Sequence, residues 1–162
     1  MKTKALLDFC DFIDATALSQ AIQATKWVVP AVQTVHILAI AAVMSSVLMI
    51  NLRLLGVSGT DQTLARVSSR FSPVVWWSLP VLLLSGVTLI IGEPARSLAN
   101  DFFQLKMFLL VSVIVLTLYF QRPLQSNPDF WDNRGGAVRV IAVLSLILWT
   151  GIIFAGRWIA YL

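Results

Sequence analysis

The sequence predicts an all-α membrane protein: a four-transmembrane-helix up-down bundle with an N-terminal amphipathic interfacial helix. Three observations predict it. Of the 162 residues, 58% are hydrophobic and only 12% are charged, against about 25% charged in a soluble domain, so the chain cannot cover a water-facing surface. The apolar residues gather in four long runs, as helices solvated by lipid require. No alternating segments of roughly ten residues appear, as a transmembrane barrel would need.

Residues 4–25 form the interfacial element. Leu6, Phe9, Cys10, Ile13 and Ala17 recur at three- and four-residue steps and share a face, while Asp8, Asp11 and Ser19 look elsewhere. Such a helix lies in the interface plane with its apolar side down. Asp14 or Thr16 is placed to cap a second short helix. Lys2 and Lys4 resemble the basic start of a secretory signal, but Asp8, Asp11 and Asp14 interrupt its apolar core, so the segment is expected to be retained.

The first span is residues 28–55. Pro30 sits in its first turn, where a missing N–H costs nothing, and Trp27 and Lys26 mark the interface. Residues 57–69 are a polar connection. The second span is 71–92, with Trp76 and Trp77 as an interface belt and Pro80 as a kink. Glu93-Pro94 ends it, and 96–101 is a short link. The third span is 102–120, and 121–136 is a polar loop with Pro123, Pro128, Asp132 and Gly135-Gly136 as breakers. The fourth span is 137–161. Residues 1–162 make a single membrane domain with no evident internal repeat, and the short loops make neighbouring helices antiparallel. Ser78, Ser85 and Gly92 on the second span, Ala42 and Ser46 on the first, and Gly151, Ala155, Gly156 and Ala160 on the fourth allow close helix approach, within one chain or between copies.

The formal charge is +4, but the basic residues sit at helix ends, where they anchor to headgroups. No Lys/Arg cluster interleaves with aromatics, so nucleic acid is not an expected partner. Arg53, Arg66, Arg70, Arg122, Arg134 and Arg139 fall at one membrane face. That face is placed in the cytoplasm, and both termini in the periplasm of a bacterial inner membrane.

His36 is the only histidine. It lies about nine residues, roughly 13 Å, into the first span, and an ionisable residue at such depth is a functional candidate. Gln33 is three residues earlier and shares its side. Lys106 lies one turn into the third span, and Arg157 about one turn from the end of the fourth, all at the same membrane face. Gln33, His36, Lys106 and Arg157 are therefore the candidate cofactor-binding set, with Glu93 nearby and His36 the candidate ligand of a haem iron. Against this stand snorkelling of the two cations to the interface and His36–Gln33 bonding as inter-helix glue. Asn51 and Arg53 are expected to end the first helix at the opposite face, with Arg53 at lipid phosphate or the Asp61 loop.

Other chemistries lack their parts. One histidine and one cysteine cannot build a structural zinc site or an intrachain disulfide. No carboxylate lies near His36 for Ser-His-Asp hydrolysis, and there is no Gly-rich phosphate loop.

Trp27, Pro30 and His36, then Leu52-Arg53-Leu54-Leu55-Gly56, then Ser145-Leu146 with Trp149, then Gly156-Arg157 ending in Tyr161-Leu162, together resemble an uncharacterised family of small bacterial four-helix membrane proteins. The likeness spans nearly the whole chain and implies no activity. In architecture the chain is also similar to four-helix membrane cytochromes b and copper-resistance membrane proteins. Those cytochromes hold haem between paired histidines, and this chain has one.

Two functional readings follow. In the first, a redox cofactor binds: one b-type haem on His36, with Lys106 and Arg157 at its propionates. The sixth position is open or filled by Met107, Met44 or His36 of a second copy, or a quinone headgroup takes the haem's place. In the second, the chain is a non-catalytic scaffold, an oligomeric channel or an accessory subunit of a larger membrane complex. No complete catalytic set is present, so no enzymatic reaction is assigned.

Overall fold

The structure, a computed structural model, describes residues 4–127, 130–131 and 135–159. Lys2, Pro128, Asp132, Arg134, Ala160, Tyr161 and Leu162 lie outside the described residues. The chain is all-α, in the order α1 (Lys4–Asp14), α2 (Ala17–Ala24), α3 (Val28–Leu54), α4 (Leu64–Gly92), α5 (Pro94–Leu98), α6 (Asp101–Ser126) and α7 (Gly135–Trp158). α3, α4, α6 and α7 are each long and apolar enough to cross a membrane.

The helix ends follow from local chemistry. The Thr16 hydroxyl accepts from the Ser19 N–H and starts α2, so the N-terminal segment is two helices. Thr63 caps α4 through the Arg66 N–H, and Asn100 caps α6 through the Phe102 N–H. α3 ends where Gly56 adopts a φ of 73°, a conformation a side chain would strain. The Val57 N–H then turns back to the Leu52 carbonyl.

Two helices run past the spans expected for them. α4 begins at Leu64, and its first turns carry the exposed Arg66 and Arg70. At 29 residues it is about 44 Å long, beyond the ~30 Å hydrocarbon thickness, so a capped polar stretch that resembles a loop in composition is helical outside the lipid. It passes through Pro73 and Pro80 without interruption. α6 likewise continues to Ser126, and the chain then returns so that Trp131 is almost fully buried. The Trp131 indole donates to the Phe120 carbonyl and stacks on the Phe120 ring. Gly135 and Gly136, expected as breakers, form the first turn of α7.

α3 pairs with α4 and α6 with α7 as two hairpins, joined chiefly by α3 against α7 and over a shorter stretch by α4 against α6. Among the described residues the backbones of α3 and α6 do not meet, nor do those of α4 and α7. The four spans therefore form a ring, with α3 opposite α6. Val43, Val47, Val75, Val113, Trp149 and Ile152 fill its middle.

α1 and α2 do not lie free on the membrane surface. Cys10 is buried with its thiol on the Pro94 carbonyl, and fully buried Ser19 donates to the Ile91 carbonyl. Leu6 and Ile13 are half-buried, whereas Phe9, expected on the same face, is exposed with Phe12 and Leu18. These exposed side chains give the segment an apolar outer side suited to the bilayer interface.

Candidate functional site

His36 does not face lipid. α3 turns it toward α4, where its Nδ1 lies 2.7 Å from the Ser85 Oγ. The ring rests against Gly86, whose Cα hydrogen points toward the imidazole; a Cβ there would sit 3.7 Å from His36 Cε1. The Ser85 hydroxyl also lies 2.6 Å from the Val81 carbonyl. A carbonyl can only accept, so the single hydroxyl hydrogen of Ser85 goes there and its oxygen accepts from His36 Nδ1–H. This assigns the ring hydrogen to Nδ1 and leaves the Nε2 lone pair on the side of the ring away from Ser85. Among the described residues nothing bonds Nε2. An imidazole held through one nitrogen with the other presenting a lone pair is the arrangement of a metal-ligating histidine.

Lys106 projects from α6, opposite α3 in the ring. Its stem and ammonium lie along Gly156 of α7, where a Cβ would be 3.7 Å from Nζ and 3.8 Å from Cδ and Cε. His36 and Lys106 are carried by facing helices of the ring, and each lies over a glycine on the second helix of its own hairpin. Two turns deeper, Val43 and Val113 are fully buried beside Trp149. The Trp149 indole N–H is buried and has no hydrogen-bond partner among the described residues.

Gln33 and Arg157 are exposed. Glu93 forms a 3.0 Å ion pair with Arg96 in the connecting link, a partly exposed pair of small energetic weight. Arg53 Nε donates to the Gln62 carbonyl at 2.7 Å, in the loop that carries Asp61. The contact the sequence did not single out is the Ser85 hydroxyl. Ser85 stood out only as one of three small residues spaced by seven, and in an apolar helix a serine chosen for size and one chosen for its oxygen look the same.

At the opposite end, polar side chains join the hairpins. Asn51 Nδ2 donates to the Ser145 Oγ, from α3 to α7. Gln121 Nε2 donates to the Ser72 Oγ, and its Oε1 accepts from the Trp76 indole, linking α6 to α4. Trp76, expected in an interface belt, is thus spent on an inter-helix hydrogen bond. The small residues of the spans also serve contacts inside the chain: Gly92 lies against Ile22 and Gly151 against Leu109.

A family profile matches residues 12–162 over this whole arrangement. The chain belongs to DUF6644, a family of unknown function. No curated protein and no solved structure matches it. The four apolar helices suggest a multi-pass membrane protein, and membership of DUF6644 assigns no chemistry, so a function rests on the side chains.

Proposed function

We propose that this protein binds a redox cofactor, b-type haem, between its two hairpins at the level of His36. The observation that carries this is the His36–Ser85 hydrogen bond, which leaves the Nε2 lone pair directed away from its structural partner. That donor fits a haem iron, and it fits a quinone carbonyl poorly, because a carbonyl needs a hydrogen. Lys106 is suited to a haem carboxylate across the bundle. The bound haem would supply one-electron chemistry; the chain's own part is to orient the imidazole, neutralise a carboxylate and exclude water. Gln33 and Arg157 would serve as outer groups near the membrane face rather than as ligands.

The cation distribution supports placing the arginine-bearing end in the cytoplasm and the N-terminal end in the periplasm of a bacterial inner membrane, because Arg66, Arg70, Arg122 and Arg139 are all exposed at the first end. The test is the absorbance of protein purified with haem supplied. The proposal expects a Soret band that His36→Ala abolishes. A colourless protein that takes up no haemin refutes it, and extractable quinone in its place would redirect it.

One observation favours the accessory-subunit reading. An outward groove of about 560 Å³ between α3 and α4 is lined by Leu38, Pro73, Val74, Trp77 and Val81, and Trp77 is 79% exposed. A partner helix seated there would make Trp77→Ala lose co-purification of that partner while leaving haem uptake unchanged.

A further inference from the structure

Lys106, Val113, Gln121 and Gly156 lie 70 residues after His36, Val43, Asn51 and Gly86. Each pair occupies the same structural place. His36 packs over Gly86 within the first hairpin, and Lys106 packs over Gly156 within the second. Val43 and Val113 are both completely buried. Asn51 reaches from the first helix of one hairpin to Ser145 on the second helix of the other, and Gln121 reaches back to Ser72, about one turn from the counterpart of Ser145 in this register.

The outer faces follow the same offset. Leu38 and Phe108 are exposed, as are Trp77 and Ile147, and Leu84 and Phe154. Exchanging α3 with α6 and α4 with α7 maps the ring of helix contacts onto itself. Arg157 pairs in this register with exposed Val87, so it belongs to the outside of the repeat.

We infer that the bundle is a tandem duplication of one helical hairpin, related by a pseudo-two-fold axis along the membrane normal, and that its ligand lies on that axis between the equivalent residues His36 and Lys106. This rests on the proposed cofactor site and deepens it. The two halves have diverged at the site itself: Ser85, which holds the imidazole, has Ala155 as its counterpart, both buried. The site is therefore two-ended. One half offers a nitrogen lone pair and the other an ammonium, which selects a ligand with an electron-pair acceptor at one end and a carboxylate at the other. Lys106 sets that specificity, and Gln33 and Arg157 do not.

The test exchanges the two ends. The triple variant His36→Lys, Lys106→His, Ala155→Ser moves the imidazole, with its serine, to the mirrored place. Haemin is added to detergent-purified wild type, to the triple variant and to His36→Lys alone, and Soret absorbance and thermal midpoints are recorded. The triple variant is expected to melt within about 3 °C of wild type and to bind haemin as wild type does, while His36→Lys alone loses about tenfold or more. A triple variant that folds yet binds no better than His36→Lys, or that melts below it, overturns the inference. If wild type itself takes up no haemin, the proposed function fails separately. The duplication is then decided by the melting order, in which the triple variant must stand above His36→Lys.

Discussion

Replacing Ser85 with alanine isolates the contact on which the site depends. The substitution removes the 2.7 Å bond from His36 Nδ1 and, second, the intrahelical bond of the same hydroxyl, shared between the Val81 carbonyl at 2.6 Å and the Leu82 carbonyl at 3.3 Å. The second costs little, because the Val81 carbonyl is already in the α4 backbone ladder. The first leaves a half-buried imidazole N–H without an acceptor, at about 1 kcal/mol. Inter-helix side-chain bonds in membranes average about 0.6 kcal/mol with a maximum near 1.7, so the two scales agree. For a chain of this length about 1 kcal/mol lowers the thermal midpoint by roughly 2–4 °C. Ser45→Ala is the control, because the Ser45 hydroxyl bonds the Ala41 carbonyl of its own helix and, among the described residues, no other helix, and it is expected to melt with wild type. Ser85→Ala also frees the ring to rotate or change tautomer, so haemin affinity is expected to fall about 10- to 100-fold, the usual loss when the partner that orients a ligating histidine is removed. The assay is a haemin titration with a parallel melt in detergent. If Ser85→Ala and Ser45→Ala give the same midpoint and the same titration, the tautomer argument for His36 is wrong.

Other substitutions read other parts of the molecule. Gly92→Ala brings a Cβ within 3.1 Å of Ile22 Cγ2, so the Ile22 side chain must give by a few tenths of an ångström; hydrogen exchange of residues 4–24 should accelerate while α6 and α7 keep their protection. Ser19→Ala removes the 2.6 Å bond to the Ile91 carbonyl and should loosen the same segment, at about 1 kcal/mol. Trp149→Phe deletes an indole N–H that has no partner among the described residues, so it should cost less than the 3–5 kcal/mol expected of truncating a buried Trp to Ala; a melt comparing Trp149→Phe with Trp149→Ala decides this. Asn51→Leu cuts one bond between hairpins, to Ser145, and Gln121→Leu cuts two, to Ser72 and Trp76, so both should lower the midpoint, Gln121→Leu by more. A large effect at one position and none at the other would count against their equivalence.

The architecture was legible because its signal is long. Four apolar runs of about twenty residues cannot be hidden by local chemistry, since lipid forbids unsatisfied backbone. Where those runs end was less so. Thr63 and the exposed Arg66 and Arg70 belong to a helix that projects beyond the lipid, and polar composition alone does not separate a capped helical turn from a loop. Trp131 is lost to sequence reading for a related reason: it lies among Pro, Asp and Gly residues, and only the return of the chain onto Phe120 buries it. His36 and Lys106 were both visible as charged or titratable residues inside spans. What composition could not weigh was direction, and exposed Gln33 was counted with them because a three-residue step on a helix is only an approximate common face.

The duplication escaped sequence reading because divergence kept positions rather than residues. His36 became Lys106, Asn51 became Gln121 and Ser85 became Ala155, or each pair the reverse, so a comparison of letters finds Val43 and Val113, Gly86 and Gly156, and little more. Burial recovers the register, because lipid-facing and core-facing positions are set by the ring of helices and not by the side chain that fills them. The asymmetry then carries the functional weight. A duplicated hairpin with identical residues at positions 36 and 106 would hold a symmetric ligand. An imidazole positioned by serine facing a lysine over glycine instead defines two chemically distinct ends on facing helices of the ring, and it is this difference between equivalent places that a bound cofactor would read.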